Sequence, residues 1–518
     1  MINIILTHFI KTNLWTFLFS GDILIGIMPK FAFNLTDYYI LSMRCIMTVK
    51  DKIERKAVEI ALSEILKYVD KNPKENILKL YNLGVKLLGG TFPEKYLEKV
   101  KELITQGDNV YYNMALDILK DLDRDMLKKM ILAMGLGAVK GTKAVRENRE
   151  KYKCNIPFIM LMDPTSACNM KCKGCWAAEY GHKSNLTFEE MSSLVSQGRE
   201  LGTHLYMFTG GEPLMRKGDI IKLCEAYPDC AFLAYTNGTL IDEKFCDDVL
   251  RVGNIALALS IEGEEGATDE RRGDGSYKNV IRSMELLKKK GCLFGISVCY
   301  TSHNIPSVTS DEFLDKMISL GVKFGLYFNY MPVGHDADVD LIPRPEQREF
   351  MYNWLRRVRN SKSGKPLFIM DFQHDGEYVG GCIAGGRNYF HVNSAGDMEP
   401  CVFIHFSDSN IRTHTVLEAL RSPLFMAFRH DQPFNDNHLR PCPMLENPQC
   451  LRDIIARTGA KSTNLIREET AEMLCSKCDK FAAEWAPKAQ EIWDSNKHPN
   501  NKTQYYRDTP EGKAEFGE

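Results

Sequence analysis

Three cysteines fall within eight residues, Cys168, Cys172 and Cys175, in the spacing C-x3-C-x2-C. Three thiolates on one short loop can cap three irons of a four-iron cubane and leave the fourth iron open to a ligand. A zinc site is the alternative, but structural zinc prefers paired cysteines and four closing ligands, and no fourth ligand is near in sequence. Further along stands Thr209-Gly210-Gly211-Glu212-Pro213-Leu214. Its glycines let a backbone approach a ligand closely, and its carboxylate can accept hydrogen bonds from a cationic amine. Six more cysteines, Cys382, Cys401, Cys442, Cys450, Cys475 and Cys478, crowd the C-terminal region.

The elements that must position these residues are legible in the apolar pattern. Six short apolar runs, Phe158–Met162, Leu205–Phe208, Phe232–Tyr235, Ile255–Ile261, Leu293–Tyr300 and Phe324–Tyr330, alternate with amphipathic helical stretches. Strand-helix repetition of this kind predicts a parallel sheet, and the order fits an α/β fold built as a partial (β/α)6 TIM-like barrel. In barrels chemistry sits at the carboxyl ends of the strands, where the three-cysteine loop and the Gly-Gly-Glu segment both fall. Ahead of the barrel, Val58, Leu62, Ile65, Leu66 and Val69 share a helical face, and Thr91 to Glu94 reads as a capping box. The expected organisation is a dubious extension over 1–46, a helical domain over 47–150, the barrel core over 151–360, a small cysteine-rich module over 361–497 and a polar, disordered tail over 498–518.

Composition sets the class. With 44% hydrophobic residues, 26% charged residues and a net charge of −2, the chain reads as a soluble globular protein, with no electrostatic support for nucleic-acid binding. Sixteen cysteines in 518 residues are too sparse for a secreted disulfide scaffold, which turns attention to metal ligation. The first 46 residues are apolar but broken by His8, Lys11, Asn13, Asp22, Lys30 and Asp37, so a spanning helix has weak support and Met47 is a candidate initiator. A cytoplasmic location is expected, with membrane association as a second reading.

In this order the motifs resemble the radical S-adenosylmethionine (SAM) superfamily, over Asn155 to Pro332. The resemblance implies a [4Fe-4S] cluster on Cys168, Cys172 and Cys175, with SAM chelating the open iron. It implies that Gly210, Gly211, Glu212 and Pro213 receive the amino group of SAM. It places Asn237 in Thr236-Asn237-Gly238-Thr239, and Ser260 and Glu262, at the ribose, and Arg272 at the SAM carboxylate. Ile296 and Tyr330-Met331-Pro332 are candidates to flank the adenine. One departure stands out: many members carry an aromatic residue immediately before the third cysteine, where this chain has Gly174 and then Trp176 beyond it.

The segment Cys382-x13-Gly396-x4-Cys401 looks like the opening of a SPASM or twitch extension, a module that carries auxiliary [4Fe-4S] clusters. Tyr389–Val392 and the turn at Gly396 read as a hairpin that brings its two thiols together. The remaining spacing departs from the full SPASM pattern, which leaves one auxiliary cluster as the expectation. Its preferred ligands are Cys382, Cys401, Cys442 and Cys478, with Cys450 and Cys475 in reserve and a zinc at Cys475 and Cys478 as a minor alternative.

The implied reaction is reductive cleavage of SAM by one electron, from a donor such as flavodoxin or ferredoxin, followed by hydrogen abstraction from an unreactive C–H bond. The apolar stretch Met126–Met134 should be buried, with core packing as the favoured reading, but it would also suit a lipid or other apolar substrate, which is carried as the expected substrate. A peptide or protein substrate is the first alternative, and a non-catalytic iron-sulfur or zinc redox sensor the second. His335, Asp371 and His374 are candidate substrate contacts or ordinary loop residues.

Overall fold

The computed structural model describes residues 49–496 apart from 68–70 and 89–93, together with 498, 503 and 505–516. The extension over 1–46 and Thr91 of the expected capping box lie outside the described residues.

Nine strands form one sheet: β1 (Ile159–Met162), β2 (Leu205–Phe208), β3 (Ala231–Thr236), β4 (Ile255–Ser260), β5 (Phe294–Tyr300), β6 (Phe324–Asn329), β7 (Phe368–Asp371), β8 (Tyr389–Val392) and β9 (Met398–Glu399). Their order is β7-β6-β5-β4-β3-β2-β1-β8-β9. All neighbours are parallel except β8 and β9. The six expected strands therefore form a partial α/β barrel, and the sheet grows at both edges. β7 extends it beyond β6, while β8 pairs with β1. The expected hairpin is present, with His391 opposite Glu399 and Val392 opposite Met398 around Gly396.

Between the strands, helices start where a side-chain oxygen can accept an otherwise unpaired first-turn amide. Thr187, Asp242 and Ser310 each cap a helix in this way, and Thr187 forms a complete capping box with Glu190. Register aligns the strand ends: Met162 lies beside Phe208, and Phe208 beside Ala234. The residues that follow, Asp163, Thr209 and Tyr235, consequently emerge on one rim.

The opposite rim is covered by the N-terminal helices. Met126 to Leu132 belong to the helix Arg124–Leu132, in which Met126, Leu127, Met130 and Leu132 are buried. Met130 and Ala133 pack against Ala231, Leu233, Ala256, Ala258 and Leu326, on the amino-terminal parts of their strands and inside the barrel. Lys323, nearly buried just before β6, forms an ion pair with Asp121 at 2.5 Å. The stretch is thus core that closes the barrel floor, as its favoured reading had it, except for Met134, which is exposed. Periodicity does not reveal which apolar neighbour a buried helix meets.

The tail also departs from expectation. Instead of disorder it forms a helix, Pro510–Phe516. Tyr505 donates to the Gly380 carbonyl, Arg507 pairs with Asp436 at 2.6 Å and Glu515 with His430 at 3.0 Å. A polar composition predicts disorder only when no folded surface offers matching partners. Among the described residues no helix is long and apolar enough to cross a membrane.

Candidate active site

A cavity of about 180 Å³ opens at the carboxyl ends of the strands. Cys168, Cys172 and Cys175 line it together with Gly210, Gly211, Glu212, Asn237, Ser260 and Arg272. Two residues expected there, Pro213 and Glu262, are not part of its lining. Pro213 instead opens a short 3-10 helix behind the Gly-Gly-Glu segment.

The glycines admit neighbouring backbone. A Cβ at Gly211 would lie 2.1 Å from the Ala167 carbonyl oxygen, and one at Gly210, where φ is +104°, 2.6 Å from that of Thr165. The Gly211 amide donates to Thr165 O at 3.0 Å and the Glu212 amide to Ala167 O at 2.9 Å. The strand end after β2 is therefore docked against the base of the cysteine loop. Glu212 extends the clamp sideways: it accepts from the amides of Leu214 (3.0 Å) and Asn237 (2.8 Å) and from Thr236 Oγ1 (2.7 Å). Burial pushes its carboxyl pKa up, against the pull of these hydrogen bonds and of Arg272. Asn237 reaches the loop itself, donating to Asn169 Oδ1 at 2.8 Å.

Glu262, fully buried, organises the cationic side. Arg271 Nη1 lies 2.7 Å from its Oε1 and Arg272 Nη2 2.6 Å, while the Cys299 amide donates to Oε2 at 3.0 Å. It thus holds both arginines at the cavity wall. Burial alone would lower the pKa of Arg272, but Glu262 and Cys172 raise it. Arg272 Nη1 stands 3.9 Å from Cys172 Sγ. Arg271, which the sequence reading passed over, lines the cavity as well, and its carbonyl accepts the Lys173 amide of the cysteine loop at 2.8 Å. The doubled arginine in Asp269-Glu270-Arg271-Arg272 was the available signal.

Gly174 is resolved by a distant residue. At φ +64° its missing Cβ would meet Tyr330 Cε2 at 2.7 Å, so the Tyr330 ring occupies the space of a side chain at that position. Tyr330 and Met331 line the cavity, whereas Ile296 faces the core and its neighbour Ser297 points inward. On a strand, a one-residue offset exchanges the faces. Also missed were Val402 and Phe403, which enter the cavity from the turn after Cys401. His335, Asp371 and His374 lie outside it: His335 Nε2 is 2.9 Å from the Glu468 carbonyl, and the other two are buried in a network.

Trp176 joins the two halves of the site. Its ring meets Phe403, His391, His405 and Tyr180 edge-on, with centroids 5.8 to 6.2 Å away. Beneath lies a buried charge cluster. His391 Nδ1 is 2.6 Å from Glu399 Oε2, and Nε2 is 3.0 Å from Asp163 Oδ1, close enough for charge attraction but off the hydrogen-bond line. Tyr180 and Thr463 donate to Glu399. Burial lowers the pKa of His391, but the two carboxylates override it and raise it to about 10.

The thiols fall into two groups. Burial pushes Cys168 up to about 11 and raises Cys175, and each also feels the negative charge of Cys172. In the C-terminal region burial takes Cys382 to about 12 and Cys401 to about 11 and pushes Cys442 well above its ordinary value; Cys382 and Cys401 both act on Cys442. Cys478 is raised by burial and then by Cys475. Among the described residues no three His, Cys, Asp or Glu side chains converge tightly enough to hold a single metal ion. Thiols distributed around a cavity suit a cubane, whose irons sit apart, better than one zinc ion.

Two outcomes test this geometry. Gly211→Ala forces its Cβ into the Ala167 carbonyl and should remove most iron from the first site; iron per chain after anaerobic reconstitution checks it. A His391 pKa raised above its unfolded value gives stability that is full below about pH 6.5 and lost as pH rises through about 10. The denaturation midpoint should therefore fall across that window, and His391→Gln should flatten the fall.

Residues 162–318 match the model of the Radical SAM superfamily. The chain is 25% identical to the AdoMet-dependent heme synthase of Oleidesulfovibrio alaskensis over 307 residues, 54% of this chain and 78% of that protein. It is 23% identical to the AdoMet-dependent heme synthase of Methanosarcina barkeri over 344 residues, 61% and 96% of the two chains. The crystal structure of Streptococcus suis SuiB bound to S-adenosylmethionine superposes with a TM-score of 0.48 at 18% identity, over 66% of this chain and 82% of that one. The protein is an enzyme that uses a [4Fe-4S] cluster with SAM, and its residues 162–318 form a radical SAM superfamily domain.

Proposed function

We propose that Cys168, Cys172 and Cys175 hold the cluster, and that the enzyme takes a hydrogen atom from an apolar substituent of a larger substrate. The observation that carries this reading is the convergence of those thiols, the Gly-Gly-Glu strand end and two arginines on one cavity. When bound and reduced, the cluster supplies the electron that splits SAM into methionine and a 5′-deoxyadenosyl radical.

The chain's own residues supply placement. Arg272, held by Glu262, offers a fixed cation for the SAM carboxylate, and a guanidinium suits that group in charge and shape. Asn237 and Ser260 offer polar contacts to the ribose. Tyr235, Phe328, Tyr330, Trp176 and Phe403 surround the reacting region with aromatic surface that excludes water. Cys382, Cys401, Cys442 and Cys478 hold a second, auxiliary cluster, and a flavodoxin or ferredoxin supplies electrons in the cytoplasm.

The apolar stretch behind the lipid reading is core on the opposite rim. The relatives named AdoMet-dependent heme synthase, one of which this chain spans over 96% of its length, support a heme-type tetrapyrrole as the substrate.

The test is anaerobic incubation of reconstituted full-length enzyme with dithionite, SAM and one of three deuterated candidates: an iron tetrapyrrole, a peptide mixture or an acyl lipid. Deuterium is expected in 5′-deoxyadenosine only with the tetrapyrrole. Transfer from peptide or lipid overturns the substrate assignment, and absence of 5′-deoxyadenosine under reducing conditions overturns the reaction itself.

A further inference from the structure

Asp371 and His374 belong to a buried line of polar groups that ends at Cys442. Asp371 Oδ1 is 3.2 Å from His374 Nδ1. Arg348 Nε donates to His374 Nε2 at 3.3 Å, which leaves the ring proton on Nδ1, facing Asp371. Arg348 Nη2 donates to Glu446 Oε1 at 3.0 Å, and Glu446 Oε2 accepts the Cys442 amide at 2.8 Å. The side chains of Arg348 and Glu446 are wholly buried.

Burying a guanidinium costs several kcal/mol unless charge and hydrogen bonds compensate it. Here the compensation is incomplete. Glu446 supplies one carboxylate, and the rings of Trp485 and Phe481 lie 4.8 and 5.6 Å from the guanidinium carbon. Arg348 Nη1 nevertheless has no hydrogen-bond partner among the described residues. Both rings sit on the helix Ala471–Ser495, one and two turns beyond Cys478. The charge of Glu446 also bears on Cys382 and Cys478 as well as Cys442. The pair therefore stands beside Cys442, with one guanidinium nitrogen of Arg348 left without a hydrogen bond among the described residues.

We propose that Arg348 is a positioning residue and counter-charge for the C-terminal cysteine site: through Glu446 it fixes the backbone of Cys442, and its cation offsets the negative charge of the thiolates and the iron-sulfur group they hold. This rests on the auxiliary-cluster reading above. A charge so placed favours the reduced form of the cluster, because reduction adds an electron beside it. Removing Arg348 and removing the charge of Glu446 must then shift the reduction equilibrium in opposite directions.

The experiment is a potentiometric titration, followed by electron paramagnetic resonance, of the full-length enzyme reconstituted with iron and sulfide. Wild type is compared with Arg348→Gln, Glu446→Gln, the double variant and Arg348→Lys. Arg348→Gln should shift the second cluster about tenfold toward its oxidised form, which is about 59 mV for one electron. Glu446→Gln should shift it the other way, and the double variant and Arg348→Lys should stay within about threefold of wild type. If Arg348→Gln loses the second cluster while Arg348→Lys keeps it, the counter-charge is also upheld. Single-variant shifts of one sign, shifts under twofold, or equal loss of the cluster in Arg348→Gln and Arg348→Lys would overturn it. A wild-type content of about four irons per chain, instead of about eight for two cubanes, fails the auxiliary-cluster reading itself, and the inference with it.

Discussion

The site depends on one backbone docking, that of Gly210-Gly211-Glu212 against Thr165 to Ala167. A loop that carries the three thiols proposed to hold the cluster must be held firmly without using the thiols themselves, and main-chain hydrogen bonds from a neighbouring strand end do this. The contact is so close that no Cβ fits at Gly211. Glu212, buried and bound by two amides and a hydroxyl, ties the same point to the end of β3. Register in the parallel sheet puts these three strand ends side by side, and the cavity exists because they are.

A second constraint joins the C-terminal cysteines to this frame. β8 continues the barrel sheet next to β1, so the hairpin that carries Cys401 is anchored beside the strand that feeds the first cysteine loop. The Trp176 ring, immediately after Cys175, packs on Phe403, two residues after Cys401. The His391 cluster spans the same seam, from Asp163 before one loop to Glu399 before the other. Buried charge pairs of this kind stabilise only when both members are present, so the seam tolerates little displacement. The cysteine-rich region is consequently a wall of the cavity, through Val402 and Phe403, rather than an appendage.

Much of this was legible in the residues. Short apolar runs separated by amphipathic stretches give the six strands, and the spacing of the three cysteines and the Gly-Gly-Glu segment points to the cavity they line, because local patterns encode both. What sequence could not supply was long-range pairing. The Tyr330 ring over Gly174, the pairing of β8 with β1 and the hold of Glu262 on Arg271 depend on residues far apart in the chain. The same limit explains why Met126 to Met134 suggested a greasy ligand when it meets the barrel floor, why Ile296 was chosen over Ser297, and why the polar tail was read as disordered.

SAM chemistry at the first cysteine site alone is what the proposed division of labour between the two sites requires. The most direct measurement is the SAM-induced change in the electron paramagnetic resonance spectrum of the reduced enzyme, in two triple variants. The chain with Cys382, Cys401 and Cys442 changed to alanine should keep a reduced cluster whose spectrum shifts on adding SAM. The chain with Cys168, Cys172 and Cys175 changed to alanine should show no SAM-dependent shift. A SAM response that survives in the second variant would contradict the account.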